Sequence, residues 1–247
     1  MLSGRFACQS SKLPYPQFIV QILPSKVNSD NINEPATSVR RFCNVDAGIS
    51  ASRSFHHGSL RRSLIEAALS EPDIEGLSLR QLAAGLGVTA AAAYRHFGSR
   101  EELLFEVARC GFDRLRQRFA SAFDMRVTPA DASEARLRLI HLARAYLEFA
   151  DDEPALWRLI FGAQAQVYRQ TIDVQGDPKS YEYLPAALSG LYLKGVITVA
   201  PSERDALFAW SAVHGAATLR SGRVPAAMIP IPDLANEVAV RVIRALK

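Results

Sequence analysis

The amino-acid sequence predicts an all-α protein in which a three-helix helix-turn-helix domain precedes a larger helical domain. Apolar residues recur at spacings of three and four from Leu60 almost to the C-terminus, which is the period of an α-helix with one buried face. Val196–Val199 is the one run with a β-like pattern. In the segment Leu77–Phe97, LSLRQLAAGLGVTAAAAYRHF, two short helical patterns flank a glycine. The 247 residues are enough for two domains.

Residues 1–52 are predicted to lie outside both domains. They are rich in Ser, Asn and Pro and lack sustained periodicity. A secretory signal needs a continuous apolar core, and Gln17 and Gln21 interrupt the most apolar stretch. We interpret this segment either as a disordered extension or as residues that precede the true start of the protein, and we expect it to contribute nothing to the core.

The helix-turn-helix prediction depends on three residues with special roles in the backbone. Ser78 is expected to cap the first helix through its hydroxyl, and Gly87 to adopt the left-handed conformation that ends it. Thr89 is expected to cap the second helix, Ala90–Phe97. Because three or four residues remain for the turn, the two helices must meet at a tight corner.

A long helix is predicted to follow directly. Ser99 and Glu102 form a capping box at its start, so the helix-turn-helix is joined to it without a loop. In its second half Arg114, Arg116 and Arg118 are expected to face solvent.

Further helices complete the chain. The acidic run Asp151-Asp152-Glu153 precedes Pro154 and is expected to stabilise the positive end of the helix that begins there. Besides the helix-turn-helix, the predicted helices are Leu60–Leu69, Glu101–Phe123, Ala132–Ala150, Pro154–Tyr168, Tyr181–Lys194, Ser202–Arg220 and Pro232–Leu246.

Hydrogen-bond donors gather at the end of the second helix of the pair. Tyr94, Arg95, His96 and Arg100 can all donate to phosphate oxygens, and residues 53–63 contain no acidic side chain. The formal net charge of the chain is only +4, so any affinity for nucleic acid should come from this local basic patch.

Residues from about His56 to Phe119 resemble the N-terminal DNA-binding domain of the tetracycline-repressor (TetR/AcrR) family of bacterial transcription regulators. The run HHGSLRRSLIEAAL matches the first helix of that family, and LSLRQLAAGLGVTAAAAYRHFGSREELL matches its helix-turn-helix and the start of the linking helix. The most specific part is the ending Y-x-H-F-x-x-[KR]-x-x-L, present as Tyr94, His96, Phe97, Arg100 and Leu103. Residues 210–215, WSAVHG, resemble the Trp-x-x-x-His-Gly (WHG) signature of one C-terminal subgroup.

The resemblance implies a DNA-binding domain over residues 53–118, with the motif at 78–97, and a helical domain over 119–247 for effector binding and dimerisation. The residues expected to contact DNA are Arg53, His57, Arg61, Ser78, Arg80, Thr89, Ala90, Ala91, Ala92, Tyr94, Arg95, His96 and Arg100. Three alanines occupy the start of the recognition helix, where most relatives have polar groups. Alanine methyls can touch thymine methyls but cannot form bidentate hydrogen bonds to guanine or adenine. Thr89, Arg95 and Arg80 are therefore the remaining candidates for base contacts, and Tyr94, His96 and Arg100 for phosphates.

The implied partners are double-stranded DNA, a second copy of the chain and a small-molecule effector. One helix-turn-helix domain covers only a few base pairs, so a homodimer on a near-palindromic operator is expected. The protein is expected to be a repressor that leaves the operator when the effector binds. The last two helices carry the candidate dimer face: Phe208, Ala209, Ala212, Val213, Ala216, Leu234, Val238, Val242 and Leu246, although the same residues could equally form intramolecular core. The candidate effector pocket is Phe149, Trp157, Phe161, Tyr168, Trp210 and His214, all of which could instead simply pack in a core.

Two other classes of function compete with this interpretation. An enzyme needs a positioned acid–base or nucleophilic group, and beyond His141 and Glu148 on one helix face the sequence offers no such pair. No cofactor or metal site is predicted, because the three cysteines are widely spaced. No membrane span is expected either. We therefore expect a cytoplasmic protein. The second class is a helix-turn-helix used for protein–protein contact without specific DNA binding, which the alanine-rich recognition helix favours.

Overall fold

The computed structural model describes residues 57–162, 165, 179–221 and 229–247, with side chains from Leu60 onwards. In these ranges the chain forms nine helices and no strand, which confirms the predicted all-α class. The helices are α1 (His57–Leu69), α2 (Leu79–Gly85), α3 (Ala90–Tyr94), α4 (Arg100–Ala122), α5 (Ala132–Asp152), α6 (Pro154–Phe161), α7 (Lys179–Leu193), α8 (Glu203–Ser221) and α9 (Ile231–Ala245).

Most boundaries fall within two residues of the prediction, and three differ by more. Helix α1 begins at His57, three residues before the predicted Leu60. The recognition helix ends at Tyr94 rather than Phe97, because the chain turns at Arg95 and His96. Helix α6 ends at Phe161, seven residues before the predicted Tyr168, and most of the intervening stretch lies outside the described residues. The segment 1–52 also lies outside them.

The run Val196–Val199 is not a strand. Gly195 has φ of +66°, a left-handed conformation that ends α7 and turns the chain away. Val196 and Ile197 are then buried against the helical core, so their apolar character reflects burial in a connecting segment. A β-like run of four residues without a partner strand satisfies none of its backbone groups by ladder pairing, and here it forms bends.

The first three helices pack onto the start of α4. Leu64 and Ala68 of α1, Ala93 of α3 and Leu104 of α4 are completely buried in one apolar core. Phe97, completely buried, fills the corner after α3. The chain of contacts therefore runs from α1–α3 into α4 without an intervening linker.

Helix α5 is the centre of the second part of the molecule. It contacts α4, α6, α7, α8 and α9, and buried residues line most of its circumference, from Ala135 to Ala150. A helix apolar on nearly all sides is expected at the middle of a bundle. Asp131 caps it by accepting from the N–H of Glu134 at 2.8 Å, and Glu134 in turn accepts from the N–H of Ala130 at 2.6 Å.

The arginines in the second half of α4 do not project freely into solvent as predicted. Arg114 pairs with Glu153 at 2.5 Å, and Arg118 pairs with Asp152 at 2.8 Å. The third acid of the run, Asp151, binds Arg220 at the end of α8 at 2.6 Å. These acids therefore form an ion-paired corner between α4, α5 and α8, and Glu153 makes no side-chain capping bond to α6.

Candidate nucleic-acid interface

The helix-turn-helix has the predicted tight corner. Helix α2 ends at Gly85, and Gly87 has φ of +69°, which lets the N–H of Val88 reach the carbonyl of Ala83 at 2.9 Å. Val88 is partly buried against the core between the two helices. Helix α3 then begins at Ala90, so only a short turn separates the two helices.

The two predicted caps behave differently. Thr89 Oγ1 accepts from the N–H of Ala92 at 3.2 Å and so caps α3 as predicted. Ser78 occupies the N-cap position of α2 with extended backbone, but its hydroxyl makes no capping hydrogen bond, contrary to the prediction. At α4, Ser99 Oγ accepts from the N–H of Glu102 at 3.2 Å, while Glu102 accepts from Gly98 at 2.7 Å.

One face of α3 is turned outwards. Ala93 is fully buried, whereas Ala91, Tyr94 and Arg95 are exposed. Tyr94 has 49% of its surface accessible, which is high for a tyrosine. Arg80, at the front of α2, is also exposed. The exposed residues of α2 and α3, with Tyr94, Arg95 and Arg80 as their polar groups, are together called the reading face below.

Two predicted DNA contacts have partners inside the protein. Arg100 donates from Nε to the carbonyl oxygen of Leu77 at 2.8 Å, tying the start of α4 to the residue before α2. Arg61 lies over the ring of Phe97, with its guanidinium carbon 4.6 Å from the ring centre, and pairs with Glu106 of α4 at 3.3 Å. Both side chains therefore help to hold the domain together.

The other predicted DNA contacts are half-buried or exposed. Ser78, Ala90, Ala92 and His96 are half-buried, and Thr89 is exposed. Arg53 and the side chain of His57 lie outside the described residues.

In the first turn of α4, the pKa of Glu101 is lowered. Its carboxylate accepts a hydrogen bond from its own backbone N–H at the start of α4, with smaller contributions from Ser99 and from Arg100, whose Nη1 lies 3.5 Å away. Glu101 is thus held ionised beside Arg100, and the two charges partly neutralise each other.

A second constellation lies in the larger helical part, where aromatic rings from α5, α6 and α8 meet. The His214 ring stacks on Trp157 with centroids 5.3 Å apart and lies 5.4 Å from both Phe161 and Trp210. Tyr146 Oη is 2.7 Å from His214 Nδ1. Tyr146, Trp157, Phe161, Trp210 and His214 are called the aromatic cluster below.

Trp157 brings a buried hydrogen-bond donor to the cluster. It is 5% exposed, and its indole Nε1 has no hydrogen-bond partner among the residues that the structure describes. Leaving a buried donor unpaired costs about 1–3 kcal/mol. Phe161, Trp210 and His214 are only half-buried, so the cluster has an accessible side.

Four of the six predicted pocket residues belong to this cluster. Phe149 does not, because its ring is fully buried on another side of α5, 5.7 Å beneath the guanidinium of Arg118. Tyr168 lies outside the described residues. Tyr146 was missed. Tyr146 lies about one helical turn before Phe149 on α5. An aromatic residue one turn from a predicted lining residue is the signal that could have found it.

The structure also divides the candidate dimer face. Ala209, Val213 and Val242 are buried in the protomer. Phe208 is 49% exposed, and Leu219, which was not among the predicted residues, is 53% exposed on the same helix. The remaining members are half-buried: Ala212, Ala216, Leu234, Val238 and Leu246.

The described ranges also bear on metal binding, acid–base groups and membrane spans. No group of three His, Cys, Asp or Glu side chains there could hold a metal ion. His141 is exposed, and Glu148 accepts from Arg144 at 2.6 Å. None of the helices described is both long and apolar enough to cross a bilayer.

Comparison with protein families gives two matches in separate parts of the chain. Residues 64–107 match the family described as "Bacterial regulatory proteins, tetR family". Residues 139–246 match "Tetracyclin repressor-like, C-terminal domain". The first range contains the helix-turn-helix, and the second contains the aromatic cluster.

Curated relatives match in part. The chain is 31% identical over 109 residues to the HTH-type transcriptional regulator BetI of Rhizobium meliloti, covering 43% of this chain and 52% of that protein. It is 33% identical over 98 residues to the HTH-type transcriptional regulator Rv1816 of Mycobacterium tuberculosis, covering 40% of each. The match thus spans about half the length of the first relative and less of the second.

Solved structures match over more of the chain. A protein of unknown function from Rhodococcus sp. RHA1 is 30% identical, with a TM-score of 0.60, over 79% of this chain and 99% of that one. PfmR, a TetR family transcriptional regulator from Thermus thermophilus, has a TM-score of 0.53 over 75% of this chain and 99% of its own, at 21% identity, and so agrees in fold.

Proposed function

Because the chain carries both the N-terminal and the C-terminal domain of the tetR family of bacterial regulatory proteins, we propose that it is a DNA-binding transcriptional regulator. The observation that carries the proposal is the reading face. Tyr94, Arg95 and Arg80 are each exposed, on or directly after the two helices that flank the tight turn, while Ala83 and Ala93 of the same helices are completely buried. A rigid support with outward donors is what phosphate and base contacts require.

In this proposal the protein acts as a homodimer on a near-palindromic operator. The DNA-binding domain spans residues 53–118 and the helical domain 119–247. Arg95, Arg80 and Thr89 lie at base edges, and Tyr94 and His96 at phosphates. Arg100 acts mainly by holding the start of α4 against Leu77, since its Nε is already bound there.

A small-molecule effector is proposed to bind at the aromatic cluster. Its half-buried rings and the Trp157 N–H, which has no partner among the described residues, resemble ligand sites, which are mostly apolar with a few polar groups. We retain the assignment to the WHG subgroup, since Trp210 and His214 of that signature both lie in the cluster. Effector binding would move α6, which packs on α4 at Gly111. This movement would change the spacing of the two DNA-binding domains in the dimer.

We further propose that the protein is a repressor released by its effector, has no catalytic activity, and works in the cytoplasm, associated with the nucleoid when bound to DNA. The curated relatives support a regulatory role, since both are named HTH-type transcriptional regulators.

Selection from a random duplex library tests the DNA-binding proposal. Purified protein should enrich one sequence made of two inverted half-sites. If no sequence is enriched over successive rounds, specific DNA binding is wrong, and the competing function, a helix-turn-helix that contacts another protein, becomes the better account.

The effector proposal has its own readout. Both tryptophans of the chain, Trp157 and Trp210, belong to the aromatic cluster, so intrinsic tryptophan fluorescence reports on it directly. A compound that releases the selected duplex should also change this fluorescence, and Trp157→Phe should weaken its binding about tenfold by removing the indole donor. Release of DNA without any fluorescence change would place the effector elsewhere.

A further inference from the structure

The first turn of α3 presents methyl groups outwards rather than hydrogen-bonding side chains. Ala91 is exposed, and Ala90 and Ala92 are half-exposed on either side of it. Ala93 faces the core and is fully buried, which fixes the rotation of the helix about its axis. The exposed side of this turn is therefore an apolar surface that Ala91 dominates.

The neighbouring polar groups do not change this character. Thr89 Oγ1 accepts from the N–H of Ala92, so this hydroxyl is held against the backbone as a cap. Tyr94 and Arg95 follow about one turn after Ala91 on the same exposed face. Apart from Thr89, whose hydroxyl oxygen is used as the cap, the polar reading groups of α3 thus lie beyond its first turn.

Base-pair chemistry then narrows what the first turn can recognise. In the major groove guanine, adenine and cytosine are distinguished by donors and acceptors, to which a methyl group offers no partner. Thymine is the base with an apolar mark there, its C5-methyl group. A methyl surface that approaches base edges can therefore favour thymine but cannot read guanine or adenine directly.

We infer that each half-site of the operator presents thymine C5-methyl groups to the first turn of α3, with Ala91 as the residue that reads them. This inference rests on the proposed function, because it requires α3 to lie in the major groove. It goes beyond that function by naming the base and the atom that are recognised.

Replacing thymine by deoxyuridine removes the C5-methyl group and leaves the Watson–Crick edge intact. Thymines in the duplex obtained by selection are replaced one at a time, and affinity is measured by fluorescence anisotropy. At least one replacement per half-site should weaken binding by wild-type protein about fourfold, the effect of losing one buried methyl-sized contact. Replacing the symmetric pair should cost about the square of that factor.

The matched protein variant is Ala91→Gly, which removes the methyl on the other side of the contact. This variant should bind the thymine duplex more weakly than wild type and be indifferent to the deoxyuridine replacement. A change in DNA shape caused by deoxyuridine would weaken both proteins alike, so the difference between them isolates the contact. Ala84→Gly, at an exposed position of α2, controls for the general effect of glycine in a helix.

Retained folding of Ala91→Gly is checked by its thermal unfolding. If wild-type protein binds the selected duplex specifically and every single deoxyuridine replacement leaves affinity unchanged, the inference is wrong while the proposed function stands. Equal sensitivity of wild type and Ala91→Gly would also overturn it. Failure to select any sequence would instead contradict the proposed function itself.

Discussion

At the scale of single residues, Arg100 joins the start of α4 to the residue before α2. The family-like ending around Tyr94 and His96 implied a phosphate contact for Arg100, yet its Nε donates to the carbonyl of Leu77 at 2.8 Å. Leu77 is 7% exposed, so a carbonyl at a buried residue receives a charged donor. Hydrogen bonds from charged groups are among the stronger ones in proteins.

We therefore predict that Arg100→Ala lowers the free energy of unfolding by about 1–3 kcal/mol, because the carbonyl of Leu77 loses its partner. Urea unfolding measures this directly. Arg80→Ala is the control, since Arg80 is exposed at the front of α2 and its loss should leave stability unchanged within about 0.5 kcal/mol. Equal stability of Arg100→Ala and wild type would mean that the contact with Leu77 contributes nothing.

Residue types and spacing predicted part of this region and missed part. The caps at Thr89 and Ser99 and the left-handed Gly87 are local features, so they could be read from the sequence. The partners of Arg61 and Arg100 lie 23 or more residues away along the chain. Periodicity indicates which face of a helix is buried, but it does not determine which distant group an arginine meets.

At the scale of helices, α4 and α6 approach closely at Gly111. A Cβ atom at this position would lie 3.0 Å from Cγ of Leu156 and 3.1 Å from Cγ2 of Ile160. Glycine is intrinsically unfavourable inside a helix by about 1 kcal/mol relative to alanine. Its presence here is explained by the close approach of α6, which also carries Trp157 of the aromatic cluster.

Gly111→Ala is expected to destabilise the protein by about 1 kcal/mol or more, because overpacking outweighs the gain in helix propensity. Gly85→Ala is the matched control, since a Cβ atom at Gly85 would meet nothing within 4 Å. Thermal unfolding should show a lower midpoint for the first variant and an unchanged or higher one for the second. A higher midpoint for Gly111→Ala would contradict the packing.

The start of α5 predicts a dependence on pH. The pKa of Glu134 is lowered from its ordinary value of 4.5, first by the N–H of Ala130 and then by Arg138. Because the folded pKa is below the unfolded one, the stabilisation is fully present above about pH 4.5 and is lost as the pH falls through the folded value. Stability should therefore decline below pH 4.5 in wild type, and less steeply in Glu134→Gln.

Urea unfolding at pH 7 and near pH 4 checks this prediction. The matched control is Glu237→Gln, because Glu237 pairs with Arg241 at the same four-residue spacing but has no cap to make, and both partners are exposed. Glu134→Gln should lose more stability at pH 7 than Glu237→Gln. Parallel pH profiles for wild type and Glu134→Gln would show that this carboxylate is not the group responsible.

The larger helical part was predicted in outline rather than in detail. The family resemblance grouped Trp157, Phe161, Trp210 and His214 as candidate pocket residues, and their rings do lie close together. Their role in binding an effector stays a prediction. Phe149 lies elsewhere because α5 is buried on most sides, so the aromatic rings of this helix meet different neighbours. The ion-paired corner at Asp151–Glu153 was also missed, since a run of acids before a proline fits helix capping equally well.

At the scale of the whole molecule, the exposed apolar side of α8 is the natural place for a second copy. Phe208 and Leu219 are about half exposed, and a Cβ atom at Gly215 between them would meet nothing within 4 Å. Ala209 and Val213 on the other side are buried in the protomer. Small residues with flanking apolar side chains allow two helices to approach closely.

Phe208→Glu and Leu219→Glu should convert a dimer into a folded monomer of 27.1 kDa, because each buries a charge in the proposed interface. Light scattering after size-exclusion chromatography measures the mass. Val127→Glu, at an exposed apolar residue between α4 and α5, should leave the mass unchanged. If both α8 variants stay dimeric, the dimer uses another face.

Specific binding of DNA by the reading face of α2 and α3 is the proposal from which the others follow. Its most direct test is the affinity of wild type and Arg95→Ala for the selected duplex, titrated with salt and with random competitor DNA. We predict tight binding that resists competitor and weakens steeply with salt. Arg95→Ala, which removes a proposed base contact, should weaken binding to the selected duplex by about 1–3 kcal/mol and weaken binding to random DNA less. Weak binding that competitor abolishes, with no effect of Arg95→Ala, would contradict the claim.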